Sequence, residues 1–216
     1  YEGVYFKSYD MSKHIPDMKD SDLFYGEGFS QWNNLFIERV VEQKKGVALL
    51  HGAPGTGKTH YIRFLLSELS KKNKRVIYIP PSMVETMTDP TVLGFLTSDI
   101  ASSEQDTILL IEDAEPLLAS RGMENRTTGI SNLLNSTDGI LNDILGLVVI
   151  ATFNTDLKNI DEALLRPGRL LARKEFGKLN KDNILEICKK FSIDLSKINT
   201  KKLDNYTIAE LLSNKD

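Results

Sequence analysis

"GVALLHGAPGTGKT", residues 46–59, joins an unbroken apolar run to a glycine-rich turn, and the rest of the chain can be placed around it. The run at 47–51 shows no alternation of apolar and polar residues, the pattern of a strand covered on both faces in a parallel sheet. The turn, Gly52 to Thr59, fits G-x-x-x-x-G-K-[ST] and is followed by a helical apolar pattern over 58–71, so the strand, loop and helix setting of a phosphate loop is complete. In such a loop Gly52, Ala53, Pro54, Gly55, Thr56 and Gly57 bring the backbone close to a polyphosphate. Exposed N–H groups and the helix N-terminus supply positive potential there. Lys58 is then placed to reach the terminal phosphates and the Thr59 hydroxyl to bind Mg²⁺. His60, next in the helix, is counted with the nucleotide neighbours. Neither it nor His51 and His14 has the spacing of a metal site, and packed or solvated histidines are the plainer reading.

A second buried run, "TILLIEDAEP" (107–116), ends in Glu112, Asp113 and Glu115. Nucleotide hydrolysis needs one carboxylate near Mg²⁺ and another to orient the attacking water. Ligand sites in open parallel sheets gather at the carboxyl ends of the strands. If this strand lies beside the first, Glu112 faces the metal and Asp113 polarises water; because Glu is one methylene longer, the reverse assignment stays geometrically open.

Three further β-branched runs, 75–79, 147–152 and 172–176, bring the expected sheet to five strands. Helical patterns fill the gaps at 31–43, 58–71, 90–101, 128–135 and 160–165, which makes the fold α/β with helices on both faces of a parallel sheet, a P-loop NTPase. After about Gly177 the sequence turns Lys- and Asn-rich, with helices at 181–191 and 207–212 and no strand, as in a short helical lid. The expected organisation is an N-terminal segment over 1–30, an ATPase core over 31–176 and a lid over 177–216. Loops are expected at 25–28, 79–82, 119–129 and 166–169. Tyr1, Tyr5, Phe6 and Tyr9 are expected to cover a sheet edge.

The 216 residues suit one domain with a small appendage, and 41% hydrophobic with 26% charged residues is ordinary for a globular protein. No apolar run approaches the ~20 residues needed to span a bilayer. A net charge of −3 offers no global attraction to nucleic acid. One cysteine, Cys188, excludes an internal disulfide and suits a reducing, cytoplasmic setting. The chain starts at Tyr1 without a signal-peptide pattern and is read as trimmed at its start.

Several motifs in order resemble the AAA ATPases. They are "GAPGTGKT", "LLIEDAEPLLASR" (109–121), "SNLLNSTDGI" (131–140), "VVIATFN" (148–154) and "NIDEALLRPGR" (159–169). The acidic strand end is most similar to the branch containing the mitochondrial inner-membrane AAA translocase, where Glu precedes Asp. The resemblance covers roughly residues 46–191 and implies an ATP-hydrolysing ring subunit, usually a hexamer, that remodels or moves a macromolecular client, here a protein. By motif, Asn154 resembles the residue that senses the γ-phosphate; its amide can donate to phosphate and accept from water at once. Arg166 and Arg169 resemble the arginine fingers that reach a neighbouring subunit's nucleotide. Tyr25 and Gly26 lie where such proteins hold the adenine, although a plain turn before a helix reads equally well. There are departures. "PPSMVETMTDPTVLG" (80–94) lacks the aromatic of a threading pore, so threading of unfolded chains is not expected. The 154–161 loop carries one extra residue, and the lid holds no arginine. Two other readings stay open: an ATP-gated binding module with negligible turnover, and a DNA-associated motor whose turnover would be DNA-stimulated and steeply salt-dependent.

Overall fold

The computed structural model describes residues 7–8, 15–84, 86, 89–115, 147–154, 170–199 and 205–215. Among these residues there are five strands: β1 (Gly46–His51), β2 (Arg75–Ile79), β3 (Thr107–Ile111), β4 (Leu147–Phe153) and β5 (Leu170–Glu175). They form one sheet of order β2-β3-β4-β1-β5, and every pairing is parallel. The helices around it are α1 (Ser21–Tyr25), α2 (Phe29–Glu42), α3 (Lys58–Lys71) and α4 (Pro90–Ser102). After β5 come α5 (Lys181–Phe191) and α6 (Ile208–Leu212).

The period of two along each strand divides the core into two layers. On one face Val47, Leu49, Ile77, Ile79, Leu109, Ile111, Val149 and Ala151 pack under Leu96 and Ile100 of α4. On the other, Ala48, Leu50, Ile108, Leu110, Val148 and Ile150 meet Phe36 and Val40 of α2 and Tyr61, Leu65 and Leu69 of α3. Every residue of β3 and β4 is buried, which explains why neither strand alternates in sequence.

Element boundaries follow local chemistry. Asp89 caps α4 by accepting the Thr91 N–H at 2.7 Å, with Pro90 at the first helical position. Asn180 caps α5 through the Asn183 N–H at 2.8 Å. Thr207 and Glu210 form a capping box at α6. The helix α2 begins two residues before its expected start, because Phe29 is wholly buried among Tyr25, Trp32, Tyr61 and Phe176. The strand β5 likewise begins two residues early, at Leu170. The five-residue α1 has no counterpart in the sequence reading, being too short to show periodicity. The expected helices at 128–135 and 160–165, the loops at 119–129 and 166–169, and Tyr1, Tyr5, Phe6 and Tyr9 lie outside the described residues.

One expectation needs correction: β3 does not lie beside β1. The strand β4 pairs with both and stands between them, so about 10 Å separates the first two motifs at the backbone. Helical crossovers let a parallel sheet take an order different from that of the sequence, so β4, the fourth strand in the chain, lies between β1 and β3.

The segment after β5, where a lid is expected, has its own small core of Leu179, Ile184, Ile187, Cys188, Ile193, Ile198 and Leu211. An isolated antiparallel bridge, Leu179 N–H to the Tyr206 carbonyl at 2.9 Å, ties its two ends together. Leu23 and Phe24 of α1 pack against it, with the Phe24 and Phe191 rings 5.8 Å apart.

Candidate active site

The loop after β1 is shaped by contacts that exclude side chains. Gly52 stands at φ +153°, and a Cβ there would come within 2.1 Å of the Phe176 carbonyl oxygen. Gly57, at φ +92°, takes the left-handed conformation just before α3, and a Cβ would press the Tyr25 ring at 2.8 Å. The Thr56 hydroxyl donates to the Ala53 carbonyl at 2.8 Å and closes the turn.

Lys58 is buried, and its ammonium donates to the Gly52 carbonyl at 2.7 Å and the Ala53 carbonyl at 3.0 Å. Burial holds its pKa below the ordinary lysine range, while the charges of Asp113, Glu115 and Glu112 oppose that shift. All three acids thus act electrostatically on one cation at the sheet's carboxyl edge.

Glu112 crosses the gap that β4 opens. Its Oε1 accepts the Thr59 hydroxyl at 2.5 Å, so the first turn of α3 and the tip of β3 meet through side chains. Its Oε2 accepts the Tyr78 hydroxyl at 2.6 Å. Burial, then the bond and charge of Glu112, push the Tyr78 hydroxyl above its usual pKa, so it stays a donor.

Beyond Glu112 the chain turns sharply. Asp113 sits in the left-handed region at φ +50°, a conformation Asp tolerates better than most residues. Its N–H donates to the Thr152 hydroxyl at 3.0 Å, and the Ala114 N–H donates to the Thr152 carbonyl at 2.8 Å. Thr152, fully buried in β4, therefore fixes the bend that swings Asp113 away from the strand direction. Asn154, just past β4, donates through Nδ2 to Asp113 Oδ1 at 2.8 Å, and its backbone N–H donates to Glu115 Oε1.

The structure thus brings together Lys58, Thr59, Glu112, Asp113 and Asn154. It puts Tyr25 beneath the loop, where its hydroxyl donates to the Gly57 carbonyl at 3.3 Å and its ring lies tilted against Phe29, centroids 4.5 Å apart. Gly26 forms the turn after α1 with nothing within 4 Å of its Cβ direction. His60 lies on the exposed side of α3, its pKa lowered by partial burial and by Arg63. His51 is buried at the end of β1 and accepts from Arg173 Nε at 3.4 Å. His14, Arg166 and Arg169 lie outside the described residues.

Sequence reasoning missed Tyr78, Thr152 and the lid's contact with the loop. Thr152 reads as one more β-branched residue of a buried strand. Tyr78 is the exposed member of β2 near its carboxyl end, a position that gains meaning only when its register with Leu110, two residues before Glu112, is known. On the lid side, the Ala209 N–H donates to the Gly55 carbonyl at 3.0 Å, and Thr207 lies over the same glycine.

The donor set fits a magnesium nucleotide. A hydroxyl and a carboxylate oxygen already touch, as two protein ligands of one hard cation would, and Mg²⁺ typically takes its other ligands from phosphates and water. Three carboxylates against one lysine leave a surplus of negative charge for that cation to neutralise.

Residues 48–178 match the family described as "ATPase family associated with various cellular activities (AAA)". The chain is 28% identical over 214 residues to the human "ATPase family AAA domain-containing protein 2", covering 94% of this chain and 14% of that protein. It is 29% identical over 226 residues to the "Vesicular-fusion protein SEC18" of Saccharomyces cerevisiae, covering 91% and 29%. It is 26% identical over 166 residues to the "Mitochondrial chaperone BCS1" of Bos taurus, covering 72% and 37%. The chain therefore spans well under half the length of these curated relatives. Among the described residues no helix is long and apolar enough to cross a membrane.

Proposed function

The chain belongs to the AAA family of ATPases, P-loop enzymes that hydrolyse ATP, and on that premise we propose that it is a ring subunit coupling Mg²⁺-dependent ATP turnover to the remodelling or translocation of a protein client. Within the family we propose the branch of the mitochondrial chaperone BCS1, on the Glu112–Asp113 order, with that chaperone among the relatives the chain matches. Residues 31–176 serve as the ATPase core and 177–216 as its lid. A single cysteine, buried in the lid, suits a reducing compartment such as the cytoplasm.

The observation that carries this reading is the 2.5 Å hydrogen bond from Thr59 to Glu112, which joins the phosphate loop to the acidic strand tip across an intervening strand. Gly52 to Gly57 would cradle the phosphates with backbone N–H groups, Lys58 would release its loop carbonyls for phosphate oxygens, and Thr59 with Glu112 would hold Mg²⁺. When bound, the ion spreads the negative charge of the β- and γ-phosphates. Asp113 would accept a proton from the attacking water as its oxygen bonds the γ-phosphorus and the bridging P–O bond to the β-phosphate breaks, and Asn154, already bonded to Asp113, would hold that carboxylate and meet the γ-phosphate. Arg166 and Arg169 complete a neighbouring subunit's site, so turnover per chain rises with assembly.

Calorimetry with Mg·ATP on the native chain and on Lys58→Ala tests the site: the native chain should release heat and the variant none. Phosphate release across a protein dilution series then separates an enzyme, whose rate per chain climbs with concentration, from an ATP-gated module that binds without turnover.

A further inference from the structure

Glu112 is an unusual choice for holding a cation at the tip of a buried strand, because its side chain has one more rotor than aspartate and more freedom to lose when ordered. In this fold both of its oxygens are engaged: Oε1 by the Thr59 hydroxyl at 2.5 Å and Oε2 by the Tyr78 hydroxyl at 2.6 Å. The two donors come from opposite directions. Thr59 belongs to the first turn of α3, behind the phosphate loop, whereas Tyr78 stands on β2, which among the described residues is an edge strand paired with β3. Glu112 itself is buried and its backbone N–H is bonded to the Ile79 carbonyl at 3.2 Å, so main chain and carboxylate are both anchored to β2. Tyr78 is 43% exposed, the one outward member in the buried half of its strand, and it makes no contribution to either core layer. A tyrosine there is explained by its hydroxyl and not by packing.

Resting on the active-site reading above, we propose that Tyr78 is a positioning residue for the metal: its hydroxyl fixes the Glu112 carboxylate in the orientation that meets Thr59, so that the pair is preorganised for Mg²⁺ before nucleotide arrives. Its role runs through Glu112, whose Oε2 accepts the Tyr78 hydroxyl. A hydroxyl donor is suited to this because it leaves the carboxylate ionised and Oε1 directed at the loop, whereas a lysine or arginine in its place would neutralise the charge the cation needs.

The test is binding of a fluorescent ATP analogue, with Mg²⁺ and with EDTA, to the native chain, Tyr78→Phe, Glu112→Gln and the double variant. The expected result is that Tyr78→Phe lowers the Mg²⁺-dependent gain in affinity by about tenfold, leaves affinity in EDTA as in the native chain, and adds nothing further in the Glu112→Gln background. Thermal melts of the four proteins guard against a folding defect. An unchanged Mg²⁺ gain in Tyr78→Phe overturns the proposal, as does an equal loss with and without Mg²⁺, or full additivity with Glu112→Gln. If the native chain itself gains nothing from Mg²⁺, it is the active-site reading that fails.

Discussion

Glu112 and Asp113 are adjacent in sequence but do different work, because the backbone turns between them. Glu112 follows directly on β3 with its carboxylate bonded to Thr59, while Asp113 enters the left-handed region and bonds to Asn154. The division predicts distinct failures. Asp113→Asn should bind Mg·ATP with native affinity yet lose about 10²–10⁴ in turnover, as expected when a positioned base is removed. Glu112→Gln should instead weaken Mg²⁺-dependent binding. Single-turnover phosphate release alongside calorimetry distinguishes the two, and a stalled Glu112→Gln beside an active Asp113→Asn would exchange their roles. Asn154→Ala belongs to the same set: it frees the Asp113 carboxylate and should slow turnover without abolishing binding.

The phosphate loop works as an element because glycine permits approaches no side chain allows. Gly52→Ala would drive a Cβ to 2.1 Å from a backbone oxygen of residue 176, just past β5, which cannot swing aside as a side chain would. We expect a loss of about 2 kcal/mol or more in stability, with loss of nucleotide binding. Gly177→Ala is the control, since nothing lies within 4 Å of its Cβ direction; it should stay within about 0.5 kcal/mol of native. Paired chemical denaturation curves check both. Strand and helix identities at this scale were legible from pattern: 75–79 and 107–111 fall where short apolar runs rich in β-branched residues put them, and 58–71 and 181–191 where apolar residues recur at helical spacing. The misplaced starts of α2 and β5 have one cause, since tertiary packing of Phe29 and pairing of Leu170 with Val47 extend elements past their local signals.

At the scale of the molecule the lid and the loop are one assembly. Leu211 is fully buried in the lid core, and the helix that carries it presses on Gly55 through Ala209 and on Gly57 through Ile208. Leu211→Ala should therefore cost about 2–3 kcal/mol and also weaken Mg·ATP binding, although the residue lies outside the loop; thermal unfolding with and without nucleotide reads both effects. Residue order along the chain was enough to determine the α/β class, the five strands, the phosphate loop and the acids, because each is written in a local pattern of period, glycine or charge. It could not give the sheet order, since the crossovers that set it leave no mark in any one segment. That order puts β4 between the two motifs, lets Thr152 bend the chain at Asp113, and sets Tyr78 against Glu112. These contacts join residues 34 and 39 positions apart, and only packing in three dimensions brings such distant side chains within hydrogen-bonding reach.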